Sequence, residues 1–217
     1  MGVLKISRFL LFFFSFGTAL VHAKAIQNGF QPVMNSAQVV EEINRNAAAI
    51  QTIQSTFIQK KQLDFLDETI ISKGAFWFKR ENQLKWAYQE PFEYIIVIRD
   101  GIFRIKDGEQ VSSFDIDSNP AFMEINNLII GMVRGNITND RFEMQVFENP
   151  VQYLVRLVPR DKNMKEVIST MEIYFDKADL NVAEVIMKEN EKDYTIITFT
   201  DKKINEVIED SVFSIDR

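Results

Sequence analysis

Residues 74–91 read Gly74-Ala75-Phe76-Trp77-Phe78-Lys79-Arg80-Glu81-Asn82-Gln83-Leu84-Lys85-Trp86-Ala87-Tyr88-Gln89-Glu90-Pro91. Phe76 and Phe78 share a face with Arg80. Leu84, Trp86 and Tyr88 alternate with Lys85, Ala87 and Gln89, apolar one way and small or polar the other. This period of two is the signature of strands, and Pro91 ends the second one. The stretch predicts two strands meeting at a short turn.

The same pattern extends in both directions. Thr56 to Gln62 and Thr69 to Phe78 predict a hairpin with Asp64 to Glu68 as its connection. After Pro91, Tyr94 to Arg99 leads through Asp100-Gly101, a strong hairpin-turn pair, into Phe103 to Lys106. Asp107-Gly108 is a second such pair, followed by a weaker strand over Gln110 to Ile116. Further on, strands are predicted at Arg141 to Phe147, Tyr153 to Pro159, Val167 to Asp176, Val182 to Glu189 and Tyr194 to Thr200. A last short one covers Val212 to Ile215.

Two segments carry helical spacing instead. Ser36 is a good N-cap, and Val39, Val40, Ile43, Ala47 and Ile50 recur behind it as one apolar stripe. After the Asn119-Pro120 break, Ala121 to Arg134 read as a second helix. Phe122, Ile125, Leu128, Ile129 and Met132 lie on one side of it, and Gly135 stops it. Lys24 to Asn35 has no period and is expected to be a flexible lead-in. Short strands at this spacing, with few helices, predict a mainly β (α+β) antiparallel sandwich or barrel. No linker or repeat divides residues 36–217, which are expected to form a single domain.

The amino terminus predicts the compartment. Lys5 and Arg8 precede an apolar run from Phe9 to Val21, and Val21-His22-Ala23 offers a cut site. The run is well short of the roughly 20 residues of a membrane-spanning helix. It reads as a cleaved secretory signal over residues 1–23, with a cut after Ala25 as the alternative. No cysteine follows the run, so no lipid anchor is expected, and nothing later is long and apolar enough to span a bilayer. The expectation is a soluble periplasmic protein.

Cleavage also limits the chemistry left in the chain. His22 is the only histidine and there is no cysteine. Disulfides are therefore excluded, and the fold must rest on an ordinary core. Nucleophilic triads and the usual zinc sites lack their residues, so no catalytic residue, metal or cofactor is assigned. Taking Lys5 and Arg8 from 25 bases leaves 23 against 31 acids, a formal charge of −8. That balance argues against nucleic acid as a partner. The pairs Asp115 with Asp117 and Glu189 with Glu191 share strand faces in this reading, but solvated edges explain them better than a glycosidase-like role.

The chain has 19 Phe, 8 Met, 5 Tyr and 2 Trp. Phe76, Trp77, Phe78, Trp86, Tyr88, Phe92 and Tyr94 concentrate them. A filled core explains such aromatics, and so does a curved sheet that leaves a hollow for a flexible apolar ligand. Composition does not choose between the two.

The stretch quoted above resembles the LolA family of outer-membrane lipoprotein carriers: a glycine, an apolar strand, Lys-Arg, a turn, an aromatic strand with tryptophan, and a proline. Arg99-Asp100-Gly101 matches the family's strand-to-strand turn, and Asn119-Pro120-Ala121-Phe122-Met123 is similar to the start of its lid helix. The leading helix and Phe57-Ile58-Gln59-Lys60 also fit. The resemblance covers most of residues 36–215 and is more specific before residue 130 than after it. It implies an incomplete antiparallel β-barrel closed by helices, with an apolar cavity for acyl chains. It implies a latch at Arg80, holding the lid. The expected cavity lining is Phe76, Phe78, Leu84, Trp86 and Tyr88 on the sheet, and Phe122, Ile125, Ile129 and Met132 on the lid. The family has a proline where this chain has Glu81, which is placed to pair with Arg80 or a nearby lysine and alter the latch.

The function so implied is that of a soluble, monomeric periplasmic carrier and not an enzyme. It would take acylated lipoproteins from an inner-membrane lipoprotein-releasing ABC transporter to an outer-membrane acceptor. Two alternatives stand beside it: a carrier of another amphiphile, such as a glycolipid or lipid-linked pigment, and a lipid-sensing periplasmic regulator domain.

Overall fold

The computed structural model describes residues 29–66, 68–80, 83–115 and 141–215. The signal peptide expected over 1–23, Glu81, and the second helix expected over 121–134 lie outside the described residues. Within them the chain forms one antiparallel sheet of twelve strands with few helices. In chain order these are β1 (Gln31–Pro32), α1 (Ser36–Ala49), β2 (Thr52–Gln62), β3 (Ile70–Lys79), β4 (Gln83–Glu90), β5 (Tyr94–Arg99), β6 (Ile102–Asp107) and β7 (Gln110–Asp115). There follow β8 (Phe142–Glu148), β9 (Gln152–Pro159), α2 (Lys162–Val167), β10 (Thr170–Asp176), β11 (Val182–Lys188), β12 (Tyr194–Ile204) and a 3₁₀ turn over Asp210–Phe213. No helix among the described residues is long and apolar enough to cross a membrane.

The strand order is β1-β8-β9-β10-β11-β12-β2-β3-β4-β5-β6-β7. Two meanders, β2–β7 and β8–β12, are thus sewn together by the pairing of β12 with β2. The sheet does not close on itself: among the described residues β1 and β7 are its edges. Local chemistry sets the hairpins. Asp100 and Gly101 both adopt positive φ (55° and 73°), the left-handed pair that a two-residue turn between β5 and β6 needs. At Gly74 the reason is space. A Cβ there would lie 2.0 Å from the carbonyl oxygen of Ala87 on β4, beside a register shift.

One face of the sheet carries the main core. Ile53, Phe57, Phe76, Phe78, Leu84 and Ile98 form an aromatic-rich half on β2–β5. On the other half, Val39, Val40 and Ile43 of α1 pack on Val155, Met171 and Ile173. Met187 and Phe199 pack against both halves and join them. The opposite face is covered in two places, by the segments around Phe30 and around Ile208 to Phe213. Phe30 sits on Phe147 and Leu154, and Ile208 and Phe213 sit on Val97. Between these covers, Arg156 and Glu172 form a buried ion pair at 2.9 Å, joined by Lys188 at 3.1 Å.

Four expectations change. Asn35, not Ser36, caps α1, because its side chain accepts from the Gln38 amide at 3.3 Å. The lead-in is not structureless throughout, since Gln31 and Pro32 pair with Glu148 and Phe147 and Phe30 is buried. Val167 ends a short helix instead of opening β10, because Asp161 caps that helix by accepting from the Met164 amide at 3.1 Å. Val212 to Ile215 form no strand. The segment turns as a 3₁₀ helix so that Phe213 covers Val97, in a sheet where β12 and β2 already pair with each other.

Candidate functional site

Laid flat, β10 and β4 are five strand spacings apart, about 24 Å. Yet Met171 of β10 and Trp86 of β4 border the same hollow, so the sheet curls around it. The hollow measures about 780 Å³, within the ~300–1,000 Å³ range of small-molecule sites. Its walls are alternate residues of the inward face, such as Phe76, Val185, Ile197 and Phe199. Ala47 and Ile50, at the end of α1, complete one side. Polar groups gather at the two ends: Glu166, Glu189 and Asn190 at one, Asn181 and Lys202 at the other. Lys202 is engaged there by Asp176 Oδ2 at 3.1 Å.

The wall is dense with rings. Trp86 meets Phe57 at 5.2 Å, Phe76 at 4.9 Å and Phe199 at 6.0 Å between ring centroids, all tilted or edge-on, the arrangements aromatic quadrupoles prefer. Met171 and Met187 add flexible, polarisable surface. Beside this cluster, Tyr88 donates its hydroxyl to Gln59 Oε1 at 3.0 Å. Burial, and then the neighbouring Tyr94, push its pKa up to about 12.

Arg80 ties α1 to the sheet. Its Nε donates to Ile50 O at 2.6 Å, and its Nη2 donates to Ala48 O and, at 3.5 Å, to Ala47 O. Its own amide donates to Gln51 O at 2.8 Å. Ala47 O also accepts from the Ile50 amide at 3.2 Å, and the cation adds its bonds at the negative end of the helix dipole, where the last carbonyls lack intrahelical partners. The helix so held is the one whose last residues border the hollow.

Of the expected lining residues, Phe76 and Trp86 border the hollow. Phe78 and Leu84 lie in the same aromatic cluster, are almost wholly buried, and do not border it; Tyr88 does not either. Phe122, Ile125, Ile129 and Met132 fall outside the described residues. The wall residues of β10–β12 were missed by the sequence reading, although Met171-Ile173-Phe175 and Ile197-Phe199 carry the alternation that marks them. Of the carboxylate pairs, Glu189 with Glu191 falls past the end of β11, where no strand face is shared. Glu189 bonds Lys61 at 3.6 Å and Glu191 lies in the turn beyond β11; Asp117 is outside the described residues. Among the described residues no cluster of acids could hold a metal ion. The hollow can take up apolar matter, with hydrogen-bonding groups at its ends.

Comparison with known proteins bears on this geometry. The family model described as "Outer membrane lipoprotein carrier protein LolA" matches residues 48–216. A search of curated protein sequences found no match. Among solved structures, the chain is similar to the Pseudomonas aeruginosa MucA/MucB complex, with 12% identity over 84% of this chain and 61% of that one, at a TM-score of 0.52. It is also similar to an uncharacterized conserved protein from Thermus thermophilus, with 11% identity over 84% and 95% of the two chains, at 0.50. A LolA superfamily protein from Nitrosomonas europaea aligns with 10% identity over 81% and 97%, at 0.43. For the first two of these, at such identities, the likeness is one of fold.

Proposed function

Since the chain belongs to the LolA family, we propose that it is a periplasmic carrier that holds lipid acyl chains in its hollow and delivers them between membranes. The observation that supports this reading is the apolar hollow of about 780 Å³, bordered by the curled sheet and the end of α1. Moving each methylene out of water is worth roughly 0.8 kcal/mol, so an acylated molecule does not leave a membrane unaided. A soluble wall of Phe, Met and Val replaces the bilayer for it. The LolA-like fold is a binding and carrier fold, and the chain after signal cleavage holds neither imidazole nor thiol for covalent catalysis.

In this reading the signal over residues 1–23 exports the protein, which works as a monomer. The cargo is an acylated lipoprotein, the donor an inner-membrane lipoprotein-releasing ABC transporter, and the acceptor lies at the outer membrane. Arg80 is the latch for the lid over residues 121–134, and its bonds to the end of α1 hold the neighbouring side of the hollow as well. Phe76 and Trp86 contact the acyl chain, with Phe78, Leu84 and Tyr88 as the packed layer beside them, and Phe122, Ile125, Ile129 and Met132 as the opposing lid. Native mass spectrometry of the full chain, purified without detergent from the periplasm of its host, tests this. The expected spectrum shows the protein with a bound lipidated species. Ligand-free protein that also fails to take up a diacyl lipid would overturn the proposal.

A further inference from the structure

The two ends of the hollow are built differently. At one end Ala47 and Ile50 of α1 border it although each is only 6% exposed. Hydrogen bonds lace that end shut. Lys202 Nζ reaches from β12 to Asp176 Oδ2 of β10 at 3.1 Å and to Val182 O of β11 at 3.4 Å. Asn46 Nδ2 donates to Leu180 O at 3.4 Å, which ties α1 to the turn after β10. Asn205 Nδ2 donates to Ala49 O at 3.4 Å, which ties α1 to the chain just past β12. At the other end Glu166, Val167, Glu189 and Asn190 border the hollow and are exposed, Val167 by 52%. There the 189–193 turn bonds within itself and to Lys61 and Asp64 on the β2 side. Among the described residues no hydrogen bond or ion pair joins that turn to α2.

One strand runs from end to end. Thr195, Ile197, Phe199, Lys202 and Ile204 of β12 all border the hollow, and at the usual strand rise they span about 25–30 Å. The hydrocarbon core of a whole bilayer is roughly 30 Å thick, so the tail of a lipid from one leaflet, about 15 Å deep, fits within that length. Such a molecule has one end that needs water and one that avoids it. A polar end driven in first loses its hydration, which is costly unless partners replace it. At the laced end the lysine is already engaged by Asp176 and Val182 O. At the exposed end water and the side chains of Glu166, Glu189 and Asn190 remain available. The tail, which needs no partner, is the part suited to the laced end.

We propose that the hollow is a blind slot with its mouth between α2 and the 189–193 turn. Acyl chains enter there methyl end first and point along β12 toward Ala47 and Ile204. The polar end of the molecule stays at the mouth. The inference rests on the reading of the hollow as an acyl-chain site. It adds the direction of loading and the place where the polar part of the cargo emerges.

Two methyl stearates test it, one carrying a nitroxide near the ester and one near the methyl end, each added to the full mature chain. Backbone amide signals within reach of a nitroxide are bleached. The ester-side label should bleach Val167 and Glu189 and spare Ala47 and Ile204, and the methyl-side label should do the reverse. The chain has no cysteine, so a bulky maleimide can be placed at one position. On Val167→Cys, an exposed site at the mouth, it should slow uptake of methyl stearate by about tenfold or more, since entry then waits on a displacement. On Ala48→Cys, an exposed site on the far end of α1, it should leave uptake unchanged. The opposite bleaching pattern, equal bleaching of both ends by both labels, or unslowed uptake by the blocked Val167→Cys protein would overturn the mouth while leaving the carrier reading standing. Binding of neither ester by the parent protein would overturn both.

Discussion

Replacing Arg80 by Leu keeps much of the aliphatic bulk and removes the guanidinium that holds the end of α1. The structure sets the size of the effect. Three carbonyls, of Ala47, Ala48 and Ile50, lose a cationic donor. Hydrogen bonds to charged groups contribute about 1.5–3 kcal/mol each, and a cation at a helix C-terminus about 0.3–1 kcal/mol. The Ala48 bond is exposed and Ala47 is at the distance limit, so water recovers most of those two terms. The net loss works out at about 2 kcal/mol, or about 30-fold in the equilibrium for lifting α1. Hydrogen exchange read by mass spectrometry should show the α1 amides opening about 30-fold faster, with β9 and β10 unchanged. Arg80→Lys retains the charge without the fork and should recover only the dipole part. Exchange of α1 within about threefold of the parent in Arg80→Leu would refute the assignment of Arg80 as the tie.

Gly74→Ala puts a Cβ 2.0 Å from Ala87 O and 2.9 Å from the Phe57 ring, a clash that backbone must absorb. The cost should reach about 3 kcal/mol or more, lowering the Tm by about 6–12 °C for a chain of this size, and a thermal melt by circular dichroism that barely moves would contradict the geometry. Tyr88, with its pKa raised from 10.0 to about 12, binds its proton more tightly folded than unfolded. Its contribution is therefore whole below pH 10 and lost as the pH rises to about 12, amounting to about 2 kcal/mol. Denaturant melts across that window should show the loss in the parent and a shallower one in Tyr88→Phe.

The hairpins were legible because their signals are local. The alternation of Leu84, Trp86 and Tyr88, the Asp100-Gly101 turn and Pro91 each act within a few residues. Period two tells which face a residue takes but not how far along the strand a hollow lies. Leu84 and Trp86 therefore read alike, although Leu84 is 2% exposed within packed side chains and Trp86 borders the hollow. A charge placed at Leu84 would test folding and not loading. The wall of β10–β12 was hidden for another reason: its meeting with β2 depends on pairs such as Phe199 with Phe57, too distant in sequence for any local pattern to show. Val212 to Ile215 misled because an apolar run that caps a face resembles one that pairs an edge.

The seam between β12 and β2 constrains how the molecule can be made. The partners of Thr52 to Gln62 on one side come from the last tenth of the chain or so, among them Ile204 opposite Ile53. Contacts of such separation form slowly, since a long loop must close before they are rewarded. The first meander therefore waits, with Phe57 and Phe199 not yet in register, until β12 is present to pair with it. A chain truncated before Tyr194 has two half-sheets and no shared interior, the kind of species that aggregates.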